Sequence, residues 1–265
     1  MSFNINKKII DAMKEDKLIL FIGAGFSNSL KFPDWNEIVK RILKDLSTEE
    51  EKYNSLISAL EGGFFTPIEI LEKIKDKKDE IYETIHKSLT INDDMKIYLD
   101  NQKKAWQISS KIITTNYDNA LEYGNSEIKV ISYNYVYEIA KLMKSNQFLL
   151  KLHGSTRNMA DCILFKEDYE KLYNSKEEKD VIFQLKKIIS DYTILFIGFS
   201  LKDPYVLNVF EGIHKMFSGF NNRHFIVSKE NDDFSKYGTI IQKIDDWTEL
   251  GLFLDQLISE KKKYT

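Results

Sequence analysis

Cysteine and proline are scarce in this sequence. Its 265 residues include one cysteine, Cys162, and three prolines. A single thiol cannot form an intrachain disulfide, and it excludes a zinc module built from several cysteine thiolates. With only eleven glycines as well, the chain is neither collagen-like nor rich in linkers. The lack of disulfides favours a reducing compartment, and we expect a cytoplasmic protein.

The sequence also lacks an excess of either charge and any long apolar run. Its 38 Lys and Arg residues balance 41 Asp and Glu residues, for a formal net charge of -3. The run Lys261 to Lys263 is typical of a solvated tail. The apolar run Leu18 to Ile22 is too short to span a bilayer, and residues 1–17 lack the apolar core of a signal peptide. We therefore expect no direct binding to nucleic acid or membrane.

Short apolar runs alternate with segments of helical periodicity along the chain. The runs predict buried strands of a parallel sheet. Their alternation with helices predicts an α/β fold, a Rossmann-like open parallel sheet with helices on both faces. Strands are predicted over 18–22, 111–115, 129–132, 148–152, 192–197 and 225–227, and helices over 6–16, 34–46, 166–190, 204–216 and 247–259.

Residues 47–106 differ in character from the rest of the chain. They are rich in Glu, Lys and Asp, with helical periodicity and no convincing strand. We expect an inserted helical lobe here, within a sheet domain made of 1–46 and 107–265. An apolar cluster beside Gly62-Gly63 either covers a ligand, meets a partner or forms the core of the lobe; its members are Phe64, Phe65, Ile68 and Leu71.

The turn after the first strand carries two glycines, in Gly23-Ala24-Gly25-Phe26-Ser27. Glycines at this place allow a tight turn and let backbone N–H groups approach a phosphate, and Ser27 adds a hydroxyl. Asn28 replaces the third glycine of the dehydrogenase fingerprint, and no acidic residue ends a second strand about 20 residues later. The alternative is an ordinary turn between a strand and a helix.

Three later strands also end in residues of chemical interest. They lead into Thr114-Thr115-Asn116-Tyr117-Asp118, His153-Gly154 and Gly198-Phe199-Ser200-Leu201-Lys202-Asp203-Pro204. The structural alternatives are a turn, a buried structural histidine, and a helix capped by Asp203 with Pro204 in its first position. Ligands of open parallel sheets bind beyond the carboxyl ends of the strands, which is where all these residues fall.

In their order along the chain, the four segments together resemble the sirtuin family. Sirtuins carry a Gly-Ala-Gly-x-Ser loop, a Thr-Gln-Asn-x-Asp turn, a catalytic His-Gly and a Gly-Thr-Ser segment. Phe32-Pro33-Asp34-Trp35 is similar to their Ile-Pro-Asp-Phe stretch. The resemblance covers roughly 1–45 and 107–230. The longer forms of the motifs are most similar to bacterial sirtuin-like domains of anti-phage defence systems.

The resemblance implies that NAD⁺ is the substrate and that its nicotinamide–ribose bond is cleaved, giving nicotinamide and ADP-ribose. Protein-deacylating sirtuins carry a four-cysteine zinc module after the His-Gly segment, which Cys162 alone cannot supply. The sequence therefore favours an NAD⁺ hydrolase without a metal. A protein deacylase and a non-catalytic nucleotide-binding scaffold are the alternatives, although a scaffold has no need of both Asn116 and His153.

The same resemblance implies a role for each motif. Asn116 contacts the nicotinamide ribose and positions the water, Asp118 orders the nicotinamide pocket, and His153 is the general base. The glycine turn cradles the pyrophosphate. The implied NAD-binding residues are Gly23, Ala24, Gly25, Phe26, Ser27, Asp34, Thr115, Gly198, Ser200, Ser228 and Asn231, the last two reading the adenosine half.

Uncontrolled NAD⁺ hydrolysis in the cytoplasm would kill the host cell. We therefore expect the activity to be switched on by homo-oligomerisation or by a sensor subunit, in a defence system that acts by abortive infection. The lobe at 47–106 interrupts the chain between the glycine turn and Asn116, which makes it the candidate coupling element.

Overall fold

Seven parallel strands form one open sheet in the part of the chain that the structure describes. The structure is a computed structural model and describes residues 2–48, 51–134, 139, 141–173, 181–198, 224–229, 234 and 239–263. The strands are β1 (Leu18–Ile22), β2 (Lys111–Thr114), β3 (Val130–Ser132), β4 (Phe148–Lys151), β5 (Thr193–Ile197), β6 (His224–Ser228) and β7 (Thr239–Lys243). Their order is β3-β4-β2-β1-β5-β6-β7. The predicted Rossmann-like α/β sheet is confirmed, and β7 was not predicted.

The winding of the sheet reverses at its centre. β1 lies between β2 and β5. The chain passes from β1 towards one edge and from β5 towards the other, so a crevice opens where the turns after these two strands diverge. The two strands pair in register from Leu18 with Thr193 to Ile22 with Ile197, which brings both turns side by side. Ligands of open α/β sheets bind at such a reversal.

The strands are apolar throughout because helices cover both faces of the sheet. Every residue of β1 is buried, with Phe21 in the core on one face and Leu20 in the core on the other. Burial of a side chain of this size contributes about 1.5–3 kcal/mol. A continuous apolar run, rather than an alternating one, is therefore the pattern of such a strand.

The helices are arranged in layers around the sheet. Asp34 caps the second of them, because its Oδ1 accepts a hydrogen bond from the N–H of Glu37 at 2.8 Å. The α-helices are α1 (Lys7–Lys14), α2 (Trp35–Ser47), α3 (Lys52–Glu61), α4 (Pro67–Lys73), α5 (Lys78–Leu89), α6 (Asp100–Ile108), α7 (Ala120–Gly124), α8 (Lys166–Tyr173), α9 (Val181–Asp191) and α10 (Leu250–Lys262). Short 3-10 helices cover Ala24–Leu30, Asp93–Tyr98, Leu142–Lys144, Met159–Asp161 and Trp247–Glu249.

One face of the sheet is covered by α8 and α9, and the other by α1, α6 and α10. The helix predicted over 166–190 corresponds to α8 and α9, and residues 174–180 between them lie outside the described residues. The helix predicted over 204–216 lies outside them too. Within the described part of the chain, no helix has the length and apolar character needed to cross a membrane.

Helices α2 to α5 form a core of their own beside the sheet. Tyr117 and Phe165, from loops at the carboxyl ends of the strands, pack into that core. α6 instead packs against α10 on the face of the sheet. The helical character of the segment between β1 and β2 agrees with the sequence pattern, and its division from the sheet domain at 46/47 and 106/107 stays a prediction.

Candidate active site

Two glycines join the turns that follow β1 and β5. The N–H of Gly25 donates to the carbonyl oxygen of Gly198 at 2.9 Å. Gly198 has a φ of +65°, and a Cβ atom built on it would lie 2.1 Å from the backbone nitrogen of Phe26. Its conformation and the space around it therefore both require glycine. The two predicted glycine motifs meet backbone to backbone.

Several N–H groups of the glycine turn already donate to carbonyl oxygens of the protein. Gly23 donates to the carbonyl of Ile197 and Phe26 donates to that of Gly23, both at 3.0 Å. With the Gly25 bond, three N–H groups are thus engaged and not free for a phosphate in this conformation. The Phe26 side chain is 1% exposed and lies in the core of the sheet. Binding of pyrophosphate by this turn stays a prediction.

Asn116 joins the turn after β2 to the glycine turn. Its Nδ2 donates to the carbonyl of Gly23 at 3.2 Å and to Oγ of Ser27 at 3.4 Å. Thr114 supports it, because its hydroxyl donates to the carbonyl of Ile22 at 2.8 Å and accepts from the Asn116 N–H at 3.0 Å. The side chain is 7% exposed. The first two motifs therefore form one hydrogen-bonded unit.

Asp118 completes this unit. Its Oδ2 accepts from the Ser27 hydroxyl at 3.2 Å, and its Oδ1 accepts from the N–H of Ala120 at 2.9 Å. One carboxylate oxygen thus binds the glycine turn, while the other accepts a hydrogen bond from the first N–H group of α7. The side chain is buried as deeply as that of Asn116. This arrangement is suited to ordering the pocket.

His153 lies just beyond the end of β4, enclosed by aromatic rings. Its Nε2 is 2.7 Å from the hydroxyl of Tyr173, and its ring meets that of Tyr169 edge to face, with 5.3 Å between the ring centroids. It is 4% exposed. Burial lowers the pKa of His153 to about 3, because a low-dielectric environment disfavours the imidazolium. The imidazole is therefore neutral at physiological pH and can act only as an acceptor on one nitrogen and a donor on the other.

The low pKa of His153 predicts the shape of the pH profile. The pH dependence of kcat/KM reports ionisations of the free enzyme. A histidine with an ordinary pKa of about 6.5 would become protonated, and so inactive as a base, as the pH falls through that value. With a pKa of about 3, His153 stays neutral, and we expect no acidic limb near pH ~6.5. Steady-state kinetics in buffers from about pH 5 to 8 measure this; a His153-dependent decrease centred near pH ~6.5 would contradict it.

A cavity of about 700 Å³ lies at the carboxyl ends of the strands. Its volume is within the usual range for ligand pockets, roughly 300–1,000 Å³. The predicted site residues that line it are Ala24, Gly25, Ser27, Asp34, Thr115, Asn116, Asp118, His153 and Gly198. The structure therefore brings all four motifs to one cavity.

Other predicted residues are not brought to the cavity wall. Ser228 ends β6, two strands from β1, and is not among the residues that line the cavity. Ser200 and Asn231 lie outside the described residues. Their roles stay predictions. Within the described ranges, no group of three or more His, Cys, Asp or Glu side chains could hold a metal ion.

Several cavity residues were missed by sequence reasoning. They are apolar or aromatic, and no local pattern distinguishes them from core residues: Ile38, Leu89, Tyr169 and Trp247. Trp35 was noted only as part of a motif, and its ring meets that of Tyr117 edge to face at 5.6 Å. Only the tertiary fold brings these side chains to the cavity.

Comparison with known proteins agrees with this geometry. A model of the SIR2-like domain family matches residues 110–246, the segment that contains Asn116, Asp118, His153 and Gly198. The chain belongs to this family. The match begins after the glycine turn, so it spans three of the four motifs.

Individual relatives extend the similarity of this SIR2-like chain. NAD(+) hydrolase ThsA of Bacillus cereus (strain MSX-D12) is 24% identical over 230 residues, which cover 85% of this chain and 46% of that protein. NAD(+) hydrolase ThsA of Cytobacillus dafuensis is 22% identical over 258 residues, 90% of this chain and 49% of that protein. Defense-associated sirtuin 2 of Bacillus subtilis is 26% identical over 225 residues, 79% of this chain and 20% of that protein. The chain spans about half the length of these two ThsA proteins.

Proposed function

We propose that this SIR2-like chain hydrolyses NAD⁺ to nicotinamide and ADP-ribose, as an effector of bacterial defence against phages. The observation that carries the proposal is the link from the glycine turn through Ser27 to Asn116 and Asp118, in the wall of a cavity that His153 also lines. The names of the relatives, an NAD(+) hydrolase and a defense-associated sirtuin, support the same reaction and setting.

In the proposed reaction, Asn116 acts on the ribose that carries the nicotinamide. Departure of nicotinamide leaves an oxocarbenium-like centre at the ribose carbon, as in glycoside hydrolysis. The protein must hold that ribose and one water in line with it. Because Nδ2 of Asn116 donates within the protein, its Oδ1 is the atom left to accept from a ribose hydroxyl or the water.

His153 is the base in this mechanism. Neutral imidazole accepts a proton from a ribose hydroxyl or from the attacking water while the new bond forms. In this conformation its Nε2 contacts the Tyr173 hydroxyl. The substrate therefore displaces Tyr173, passes its proton to His153 through that hydroxyl, or reaches the other ring nitrogen, Nδ1. Asp118 contributes negative charge to the wall of the same cavity, where positive charge develops.

The dependence of turnover on an acylated peptide tests the proposed reaction. Purified protein in its assembled form is incubated with NAD⁺, with and without an acyl-lysine peptide, and nicotinamide is measured by chromatography. We expect the same nicotinamide release in both samples. Release only when the peptide is present would establish a deacylase instead.

Trp247 lines the cavity and comes from the other side of the sheet centre than His153. It follows β7, whereas His153 follows β4, on the other side of β1. If the nicotinamide ribose lies at His153 and the pyrophosphate at the glycine turns, the adenosine reaches the Trp247 end. The indole is 38% exposed and so has a surface on which a base can stack.

Replacing Trp247 by alanine is expected to raise the KM for NAD⁺ and leave kcat nearly unchanged. Stacking of a base on an aromatic ring contributes about 1–3 kcal/mol, so the increase is roughly 5- to 160-fold. Nicotinamide mononucleotide, which lacks the adenosine, is the control substrate, and its KM is expected to be the same in both proteins. An equal increase of both KM values would contradict the assignment.

The helical segment is the proposed site of control by an oligomer or a sensor subunit. Of the predicted apolar cluster, Phe65 and Leu71 pack into the core of α2 to α5, and Ile68 lines the cavity. Phe64 instead is 80% exposed. Phe64 is therefore the member available to a partner, while the others have structural contacts. We also propose a cytoplasmic location, because a single cysteine favours a reducing compartment.

Substituting Phe64 by aspartate is expected to weaken activation or assembly without loss of stability. Because the ring is exposed, the free energy of unfolding is expected to change by less than about 0.5 kcal/mol. Ile97, 75% exposed, is a matched control, and Ile97→Asp leaves assembly unchanged. Sedimentation and turnover measure the effect; full assembly and full activity of Phe64→Asp would exclude a partner at this residue.

A further inference from the structure

Lys151 is a buried lysine beneath the Asn116 turn. It is the last residue of β4 and is 0% exposed. Its Nζ donates to the carbonyl oxygen of Tyr117 at 3.2 Å and to that of Asp118. It also forms an ion pair with Glu122 in α7, at 3.3 Å from Nζ to Oε1. The three N–H bonds of the ammonium thus each have an acceptor.

Such a lysine is costly for the fold. Removing an ammonium and a carboxylate from water is strongly unfavourable, and a fold with apolar residues of the same volume in their place is often as stable or more stable. Glu122 is 5% exposed, and its Oε2 has no hydrogen-bond partner among the described residues. Stability alone therefore does not account for Lys151.

The contacts of Lys151 connect the turn that holds Asn116 and Asp118 with the strand that leads to His153. Two residues after it in the chain comes His153, and both carbonyls that it binds belong to the turn that holds Asn116 and Asp118. A second bond joins the same segments, from the N–H of Thr156 to the carbonyl of Tyr117 at 3.0 Å. Lys151 does not itself line the cavity, whereas Tyr117 and Asp118, whose carbonyls it binds, do. It can act only by fixing the turn relative to the strand.

We propose that Lys151 is a positioning residue, which sets the distance between Asn116 and His153 that the proposed NAD⁺ hydrolysis requires. The inference rests on that proposed function. Reactions that depend on alignment are sensitive to small displacements, and a shift of 1 Å costs on the order of 10²-fold in rate. In the proposed function the glycine turns bind the pyrophosphate, and the hydrogen bonds of Lys151 go to Tyr117, Asp118 and Glu122 instead.

Three variants separate positioning from stability. Lys151→Met removes the ammonium and leaves Glu122 unpaired in the interior. The double variant Lys151→Met/Glu122→Met replaces the whole ion pair by apolar side chains of similar size. Lys111→Met is the matched control, because Lys111 is 2% exposed and forms an ion pair with Asp16. Lys111 begins β2, so it lies at the amino ends of the strands, whereas the cavity lies at their carboxyl ends.

We expect kcat for NAD⁺ to fall about 10- to 100-fold in both Lys151 variants. KM and the affinity for ADP-ribose change little. The double variant regains the melting temperature that the single variant loses, and its kcat stays low. Lys111→Met lowers the melting temperature and keeps the wild-type kcat. Recovery of kcat together with stability in the double variant, or an equal loss in Lys111→Met, would overturn the proposal.

Amide hydrogen exchange tests the same idea without any turnover. The N–H groups of Asn116, Ala120 and Thr156 are hydrogen-bonded within and beside the turn. We expect them to exchange faster in the double Lys151 variant and at the wild-type rate in Lys111→Met. Unchanged exchange in the double variant would overturn the proposal. If the wild-type protein cleaves no NAD⁺, the proposed function fails, whereas the exchange rates still decide whether Lys151 orders the turn.

Discussion

Replacing Asn116 or His153 by alanine is expected to lower the rate of NAD⁺ cleavage by about 10²–10⁴-fold, the usual contribution of a positioned acid–base group. Asn116→Ala removes the acceptor for the ribose or the water, together with two hydrogen bonds to the glycine turn. His153→Ala removes the base. Initial rates of nicotinamide release at saturating NAD⁺ measure the effect. Circular dichroism first verifies that both variants are folded.

A second asparagine provides the control for the loss of a hydrogen bond. Asn92 accepts from the N–H of Met95 at 3.0 Å, at the start of a 3-10 helix, and does not line the cavity. Asn92→Ala is expected to reduce stability by about 1 kcal/mol and leave turnover unchanged. Wild-type turnover in either Asn116→Ala or His153→Ala would show that the assigned residue has no part in the chemistry.

Gly198→Ala is expected to disrupt the site nearly as strongly. The added methyl would lie 2.1 Å from the backbone nitrogen of Phe26, and alanine is disfavoured at a φ of +65°. The left-handed conformation costs about 1–2 kcal/mol, and overpacking of a tight contact costs a further ~1–3 kcal/mol. Since the displaced backbone is the glycine turn, we expect weaker binding of ADP-ribose by calorimetry and a decrease in kcat/KM of at least about 10-fold.

Gly63→Ala separates the effect of backbone strain from the effect of the steric contact. Gly63 also has a positive φ, +71°, but a Cβ atom there would have no neighbour within 4 Å. Its replacement should therefore cost the conformational strain alone, about 1–2 kcal/mol, and leave ADP-ribose binding intact. If Gly198→Ala is no more destabilising than Gly63→Ala and binds ADP-ribose normally, the close contact between the two glycine turns is unimportant.

The central strands were predictable because their environment imposes one simple pattern. β1 and β5 are covered on both faces, so each reads as a continuous apolar run. β7 reads Thr-Ile-Ile-Gln-Lys at the edge of the sheet, and its burial is discontinuous. The buried Gln242 bonds to the backbone of Asn4 and Asn6, contacts from more than 230 residues away. No local sequence pattern predicts such a strand.

The site was predictable to the extent that its residues directly follow strands. Asn116, Asp118, His153 and Gly198 all do, and the sheet brings them together. The partner of His153 was not predictable, because Tyr173 comes from the end of α8, 20 residues later in the chain. Phe26 shows the opposite error. It stands inside a predicted binding motif, yet its ring turns into the core because the turn continues as a 3-10 helix.

The central claim is that one cavity cleaves the nicotinamide–ribose bond of NAD⁺ with Asn116 and His153. Its most direct test is the product balance when the assembled wild-type protein and the Asn116→Ala variant are incubated with NAD⁺ alone. Our account predicts that the wild-type protein releases nicotinamide and ADP-ribose in equal amounts, matching the NAD⁺ consumed, and that the variant releases almost none. NAD⁺ that is bound but left intact by the assembled wild-type protein would contradict it.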